Sequence, residues 1–362
     1  MENTETDLKK LFGGVYNGKT VLVTGHTGFK GSWLSIWLSL LGAKVIGYAL
    51  DPITEQDNFV VCGLQSKMTD LRSDIRDDDL IKRVLHIYQP ELVFHLAAQP
   101  ILRRSYLIPQ ETFEVNVMGT VNLMEAIRSC PSVKAAVIVT SDKCYENKED
   151  IWGYREDDKL GGFDPYSASK ACQELVTSAY RSSYFDQPAK TAVATVRAGN
   201  VFGGGDWSPY RLIPDCVRAL REHKPVEIRN PESVRPWQFV LEPLYGYLLL
   251  GEKLLQEGTR WAGAWNFGPD FGSIVKVGVL AELFAEVWGG ERQARLIPPD
   301  GLHEPGLLSL DCTKAKALLG WKPRLNLRRS VEYTVQWYRN TEEQVPYFNL
   351  CKNQIESYCK LV

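Results

Sequence analysis

The chain has 362 residues, 44% hydrophobic and 24% charged, a globular composition large enough to bury a full core in one large domain or two smaller ones. A net charge of -2 excludes nucleic-acid or anionic-membrane binding through a bulk basic field. The eight cysteines are scattered, with no Cys-x-x-Cys pair and no Cys/His spacing suited to zinc, so reduced thiols in a cytoplasmic protein and no metal site are expected.

Residues 1–7 are acidic and polar, unlike a secretory signal. Strands are predicted at 20–24, 44–50, 92–96, 135–140 and 191–196, with helices near 31–41, 77–88, 110–129 and 165–184. The apolar stretch from Gly31 to Leu50 is too interrupted to span a membrane, because Gly42-Ala-Lys44 splits it into a helix and a strand. Short, nearly continuous apolar strands alternating with helices predict an α/β fold, a Rossmann-type doubly wound parallel sheet. After Gly199 the alternation gives way to turns, aromatics and isolated arginines, which predicts a smaller C-terminal α/β substrate-binding domain with helices near 274–287, 313–319 and 327–340. The dinucleotide domain is expected over 18–198, with 239–268 packing back on it, and the smaller domain over 199–238 and 269–345. Residues 342–362 match no interpretable motif.

Gly25-His26-Thr27-Gly28-Phe29-Lys30-Gly31 follows the first strand and opens the first helix, where backbone amides and the helix dipole receive a pyrophosphate. Its Gly-x-x-Gly-x-x-Gly spacing differs from the commoner dinucleotide pattern, and a structural strand–turn–helix is the bland alternative. Asp51 ends the second strand twenty residues past Gly31, where a carboxylate accepts ribose hydroxyls and repels a 2′-phosphate, favouring NAD over NADP. Asp74 and Ile75 are expected on the adenine side, and Leu96, Ala97 and Ala98 beneath the nicotinamide ribose. A Walker loop is excluded because Lys30 is followed by Gly31. His26 and Lys30 are expected to shape phosphate contacts.

Tyr166-Ser-Ala-Ser-Lys170 places a phenol and an ammonium one helical turn apart. The lysine is expected to lower the phenol's pKa, as an oxidised nicotinamide would, making Tyr166 a general base. Ser141, directly after the strand at 135–140, is placed to bond the same substrate oxygen. Alone, such a tyrosine–lysine pair is more often an ordinary exposed helix pair.

The glycine loop, Ser141 and the Tyr166/Lys170 pair resemble the extended short-chain dehydrogenase/reductase family over residues 18–340, a family that handles sugar nucleotides. Ser141-Asp142-Lys143 resembles the segment where its 4,6-dehydratases carry an acidic pair, with lysine here at the second position. The blocks 25–34, 141–145, 197–201, 203–207 and 235–238 resemble the CDP-glucose 4,6-dehydratase branch. That resemblance implies a nucleotide-sugar substrate, CDP-glucose by preference, with Gln99, Asn200, Arg211, Arg229, Arg235 and His303 as substrate contacts. It implies oxidation at carbon 4, loss of water across carbons 5 and 6, and hydride return to carbon 6. Asp142 would be the acid and Lys143 the candidate carbon 5 base, although a lysine must be desolvated to be neutral and a merely solvated Asp-Lys pair is the alternative. A homodimer through the helices near 110–129 and 165–184, and a role in deoxysugar supply to surface polysaccharide, are further implications. A 4-epimerase, a dehydratase that inverts carbon 5 and a non-catalytic dinucleotide sensor are the competing readings.

Overall fold

The computed structural model describes residues 8–185, 191–228, 230–289, 294–296 and 306–362. The order is β1 (Thr20–Thr24), α1 (Phe29–Leu40), β2 (Lys44–Ala49), α2 (Asn58–Val61), β3 (Thr69–Arg72), α3 (Asp78–Tyr88), β4 (Leu92–His95), α4 (Leu102–Leu107), α5 (Pro109–Phe113), α6 (Gly119–Arg128), β5 (Ala135–Val139), α7 (Pro165–Tyr180) and β6 (Ala192–Ala198). Then come β7 (Val201–Phe202), α8 (Leu212–Arg221), β8 (Val226–Ile228), β9 (Val234–Pro236), β10 (Gln238–Phe239), α9 (Leu241–Glu257), β11 (Gly263–Phe267), β12 (Ile274–Lys276), α10 (Val277–Trp288), β13 (Ala294–Leu296), α11 (Leu327–Arg339) and α12 (Tyr347–Cys359).

Seven parallel strands form the central sheet in the order β11-β6-β5-β4-β1-β2-β3. Strands such as Ala135-Ala-Val-Ile-Val139 are buried at every position, as burial on both faces requires. The order reverses between β1 and β4, and a crevice at such a switch point, beyond the strands' carboxyl ends, is where open α/β sheets bind ligands. Segment 241–267 returns to this sheet, α9 packing beneath it and β11 pairing with β6. The β7–β10, β9–β12 and β8–β13 pairs belong to the smaller sheets, with α8, α10 and α11 beside them.

Local signals set the helix ends. Asp164 caps α7 by accepting from the Ser167 amide, and Pro165 takes the first turn, where no amide hydrogen is missed. The helix expected at 110–129 runs through α5 and α6 but widens to a π-turn at Glu114–Met118, whose Asn116 is turned inward. Thr69-Asp-Leu-Arg72 forms an edge strand that its polar composition hides. In the C-terminal stretch without a motif, α12 covers α1, with Tyr358 edge-on to Trp37 at 5.9 Å and its hydroxyl 2.7 Å from Glu242.

One buried ion pair ties α7 to the sheet. Arg197 on β6 and Glu174 on α7 are each 3% exposed and 2.9 Å apart. Both carboxylate oxygens of Glu174 accept further hydroxyl bonds, from Thr140 and Thr195, while Arg197 also reaches the Tyr145 hydroxyl and the Glu156 carbonyl. Removing one partner leaves a buried charge uncompensated. Arg197→Met is therefore expected to cost about 3–5 kcal/mol in chemical denaturation, and a loss below about 1 kcal/mol would show that water reaches Glu174.

Candidate active site

Gly25 to Gly31 turns from β1 into α1 at the mouth of the crevice. A Cβ at Gly31 would sit 2.0 Å from the Gly25 carbonyl oxygen, and one at Gly25, where φ is +73°, would sit 2.7 Å from the Ala97 amide nitrogen. The loop can close this tightly only with glycine at both positions. Gly28 caps α1 without any side-chain bond, so the first amides of α1 face outward without a side-chain acceptor, as an anion site requires. Thr24 Oγ1 accepts from the Leu96 and Ala97 amides, holding 96–98 against the loop.

His26 is placed differently from the phosphate role expected of it. Its ring is fully buried, donates from Nε2 to Asp70 Oδ1 at 2.7 Å, and packs edge-on to Phe59. Burial lowers its pKa despite the Asp70 bond, so it is a neutral clamp between the loop and β3. It fits because Gly47 has no side chain, a Cβ there meeting the ring at 2.4 Å. Thr27 donates to the Leu50 carbonyl, and Phe29 lies under Gly203. Asp51 is 86% exposed at the end of β2, with Arg72 3.2 Å away. Asp74 is held below the usual carboxylate range by Arg76, and Ile75 is buried against Gly119.

The β5 end carries Ser141, Asp142 and Lys143. Ser141 Oγ donates to Asp142 Oδ1 at 3.0 Å and accepts from the Lys143 amide. Asp142 is buried, its Oδ2 has no hydrogen-bond partner, and Lys143, with its side chain 20% exposed, holds Nζ 3.7 Å from Oδ1. Tyr166 hydrogen-bonds with Ser141, yet burial outweighs that bond and pushes its phenol up to about 12. Lys170 Nζ donates to Gln173 Oε1 at 2.9 Å, and burial, aided by Lys30, lowers its pKa to about 7. The expected lowering of the phenol by Lys170 is thus absent from the protein alone.

Lys30 turns toward α9. It is half-buried in the site, Nζ 6.0 Å above the Tyr247 ring, and burial and then the Arg211 charge lower it to about 8. Gln99 is spent within the framework, its amide bonding Thr112 and the Ile101 amide. Asn200 carries an unpartnered buried Oδ1. Arg211 pairs with Asp206 at 2.9 Å, and Arg235 donates to the Val234 and Gly306 carbonyls. Arg229 and His303 lie outside the described residues. Supporting groups that the motifs did not indicate are Ser105, which accepts from the Tyr166 amide, and Asn116, which joins Gln99 to Ser169. Their partners lie 53 to 61 residues away for Ser169 and Tyr166, and no local pattern announces them.

A family model described as GDP-mannose 4,6 dehydratase matches residues 22–257. The chain is 47% identical over 329 residues to the CDP-glucose 4,6-dehydratase of Salmonella typhimurium, covering 90% of this chain and 91% of that one. The structure of DesIV, a dTDP-glucose 4,6-dehydratase from Streptomyces venezuelae with NAD and TYD bound, superposes with a TM-score of 0.76 at 26% identity over 91% of this chain and 99% of that one. The UDP-glucose 4-epimerase of Thermotoga maritima with UDP-glucose superposes at 0.75 and 25% identity, over 88% and 98%.

Lys170 gives a stability test. Because its pKa falls from 10.5 to about 7 in the fold, the unfolded chain binds more protons across that window and stability rises with pH through it. Lys170→Met is expected to be the more stable protein at pH ~7 by more than about 1 kcal/mol, with the advantage fading toward pH ~10 in chemical denaturation. An advantage of the same size at both pH values would mean that the cost lies in packing rather than charge.

Proposed function

The chain belongs to the GDP-mannose 4,6-dehydratase family, and we propose that it converts CDP-D-glucose to CDP-4-dehydro-6-deoxy-D-glucose with NAD as its resident cofactor. The observation that carries this reading is the carboxyl of Asp142, buried beside Ser141 with one oxygen unpartnered. An epimerase has no use for an acid at this point, whereas loss of a hydroxyl needs one. The 47% identity to a CDP-glucose 4,6-dehydratase supports the choice of nucleotide.

The residues fit a dinucleotide. The start of α1 has no side-chain cap, the glycine loop leaves no room for a Cβ, and an exposed Asp51 stands where an adenosine ribose is met. When bound, NAD supplies a hydride acceptor for carbon 4 and returns the same hydride to carbon 6. Tyr166 takes the carbon 4 hydroxyl proton, with Ser141 orienting that oxygen. The phenol lies near 12 in the protein alone; the positive charge of a bound oxidised nicotinamide would lower it. The ketone at carbon 4 acidifies carbon 5, whose proton goes to Lys143. Asp142 protonates the carbon 6 hydroxyl as its bond to carbon breaks and water leaves. Asn200, Arg211 and Arg235 are assigned to the substrate diphosphate and nucleoside, arginine forks suiting phosphate oxygens.

A homodimer belongs to the same proposal. Phe113, Met118 and Leu175 are exposed along the α5–α6 rod and α7, the two helices that would pair with a second copy. Among the described residues no helix is long and apolar enough to cross a membrane, and the eight cysteines are free thiols, which supports work in the cytoplasm. The product class suits supply of deoxysugars to surface polysaccharide such as lipopolysaccharide O-antigen.

Mass spectrometry of the purified protein with CDP-glucose, dTDP-glucose, UDP-glucose and GDP-mannose, with and without NAD, is expected to show loss of one water from CDP-glucose. Asp142→Asn should lower that turnover by about a hundredfold or more; an unchanged mass with altered sugar stereochemistry would instead make the protein an epimerase. Leu175→Glu is expected to shift the protein from dimer to monomer in sedimentation, and an unmoved mass would place the interface elsewhere.

A further inference from the structure

The Arg103 guanidinium, on α4, stands over the Tyr210 ring at 5.5 Å, within the range of a cation–π contact. The two side chains come from different arms of the fold. α4 follows β4, Tyr210 lies on the segment that follows β6 and β7, and in the central sheet β4 and β6 flank β5. Ser141, Asp142 and Lys143 leave the carboxyl end of that middle strand. The contact therefore spans the strand end that carries the candidate reacting groups.

Both ends of the span are fixed. Ser105, two residues from Arg103, accepts from the Tyr166 amide and donates to the Leu102 carbonyl, which holds α4 against the first turn of α7. The neighbouring Arg104 pairs with Glu111 at 3.8 Å on its own side of the crevice, whereas Arg103 reaches across. On the far side the buried Asp206 grips the turn at two points, Oδ1 accepting from the Ser208 amide at 3.1 Å and Oδ2 from Arg211 at 2.9 Å. Its carbonyl accepts from Tyr338. Tyr210, at the tip, is 52% exposed.

Tyr210 also holds φ at +63°, a conformation that is costly for a bulky side chain. Gln89 and His223 share it, but they stand at the carboxyl ends of α3 and α8, where a left-handed residue closes the helix. Tyr210 instead precedes α8, and glycine would make the same turn without strain. What the tyrosine adds at this place is a ring for Arg103.

We propose that Arg103 and Tyr210 form a strap across the site that keeps the oxidised sugar in place until its hydride is returned. The proposal rests on the dehydratase reading above, and that reading requires retention. After oxidation at carbon 4, and again after loss of water, no covalent bond holds the sugar nucleotide to the protein. A sugar that escapes at either stage leaves its hydride behind on the nicotinamide, and the protein stops. A strap joined by one cation–π contact parts for substrate entry and product release. Arg103 and Tyr210 take neither proton nor hydride; they are positioning residues that act through the sugar's place in the site.

Tyr210→Gly removes the ring and relieves the backbone, Tyr210→Phe keeps the ring, and Arg103→Met removes the cation. Tyr210→Gly is expected to melt no lower than the parent. With NAD and CDP-glucose, the Tyr210→Gly and Arg103→Met variants should start at the parent's rate and then stall. Reduced nicotinamide should build up on the protein while unfinished 4-keto sugar nucleotide appears free, about tenfold more often per turnover than in the parent. In a Tyr166→Phe background, where oxidation does not start, the same changes should speed CDP-glucose dissociation by about tenfold. Combining them should add nothing to either alone, since both break one contact, and Tyr210→Phe should behave as the parent. Unchanged release of the unfinished sugar, unchanged CDP-glucose dissociation, or a Tyr210→Phe protein that leaks as Tyr210→Gly does would overturn the strap. A parent protein that removes no water from CDP-glucose would overturn the dehydratase reading and the retention role with it, and the parent assay alone tells that outcome from the others.

Discussion

The Glu174–Arg197 pair is the interaction on which the placement of the reacting groups depends. Glu174 sits one turn beyond Lys170 and two beyond Tyr166 on the same face of α7, so whatever fixes its carboxylate fixes the phenol and the ammonium. Two hydroxyls from β5 and β6 and the fork of Arg197 hold both its oxygens. Thr140, one of those hydroxyl donors, is the residue immediately before Ser141. The pair therefore registers the helix that carries Tyr166 against the strand end that carries Ser141 and Asp142. Apolar packing would often be the more stable choice at such a place, but it would allow α7 to slide, and directed hydrogen bonds do not. From Arg197 the network continues through Tyr145 to Asn266 on β11 and on to the carbonyls of Tyr154 and Asp311, linking the returning strand and the smaller region to the same frame.

Within that frame the site is electrostatically unfinished. Lys170 is buried and Lys30 half-buried, Lys30 lowers the proton affinity of Lys170 as Arg211 lowers that of Lys30, and the oxygens Asp142 Oδ2 and Asn200 Oδ1 lack donors. His95, behind them, is driven to about 3 by burial and by Lys170, so it stays neutral and adds no charge of its own. Cations crowded beyond what the local carboxylates balance are what a diphosphate-bearing ligand would complete. On the other side of α1, Trp37, Tyr245 and Tyr358 pack α1, α9 and α12 together.

What was legible in the sequence is what local physics dictates. The glycine loop, the apolar parallel strands and the Tyr166/Lys170 spacing each follow from steric, burial or helical periodicity rules that act within a few residues. Gly25 and Gly31 are needed for reasons visible in the loop itself. His26 shows where that reach ends: the loop sequence suggests a phosphate contact, but the fold turns the ring under Gly47 and Phe59, residues 21 and 33 positions away in sequence. Lys30 lies on the same loop, but its place over the Tyr247 ring depends on the approach of α9, which the loop sequence does not contain. Gln99 is expected from its place after Ala98 to meet the substrate, but its side chain is taken up by Thr112 on α5 and the Ile101 amide, and its backbone by Asn116. Nor could pattern alone find α12, whose partners lie on α1 and α2 near the other end of the chain.

In the proposed mechanism, keeping or losing the sugar's carbon 6 hydroxyl comes down to how one carboxyl is surrounded. Asp142 shares its Oδ1 with Ser141 and keeps Lys143 at 3.7 Å, too far for a committed hydrogen bond. In that mechanism the separation leaves the two free to act on neighbouring carbons of one substrate. That separation is set by the short helical turn at Asp142–Cys144, which the Ser141 side chain caps by accepting from the Lys143 amide. In the proposed mechanism, the serine that orients the carbon 4 oxygen thus also spaces the acid from the base, and oxidation and elimination are tied to the same three residues.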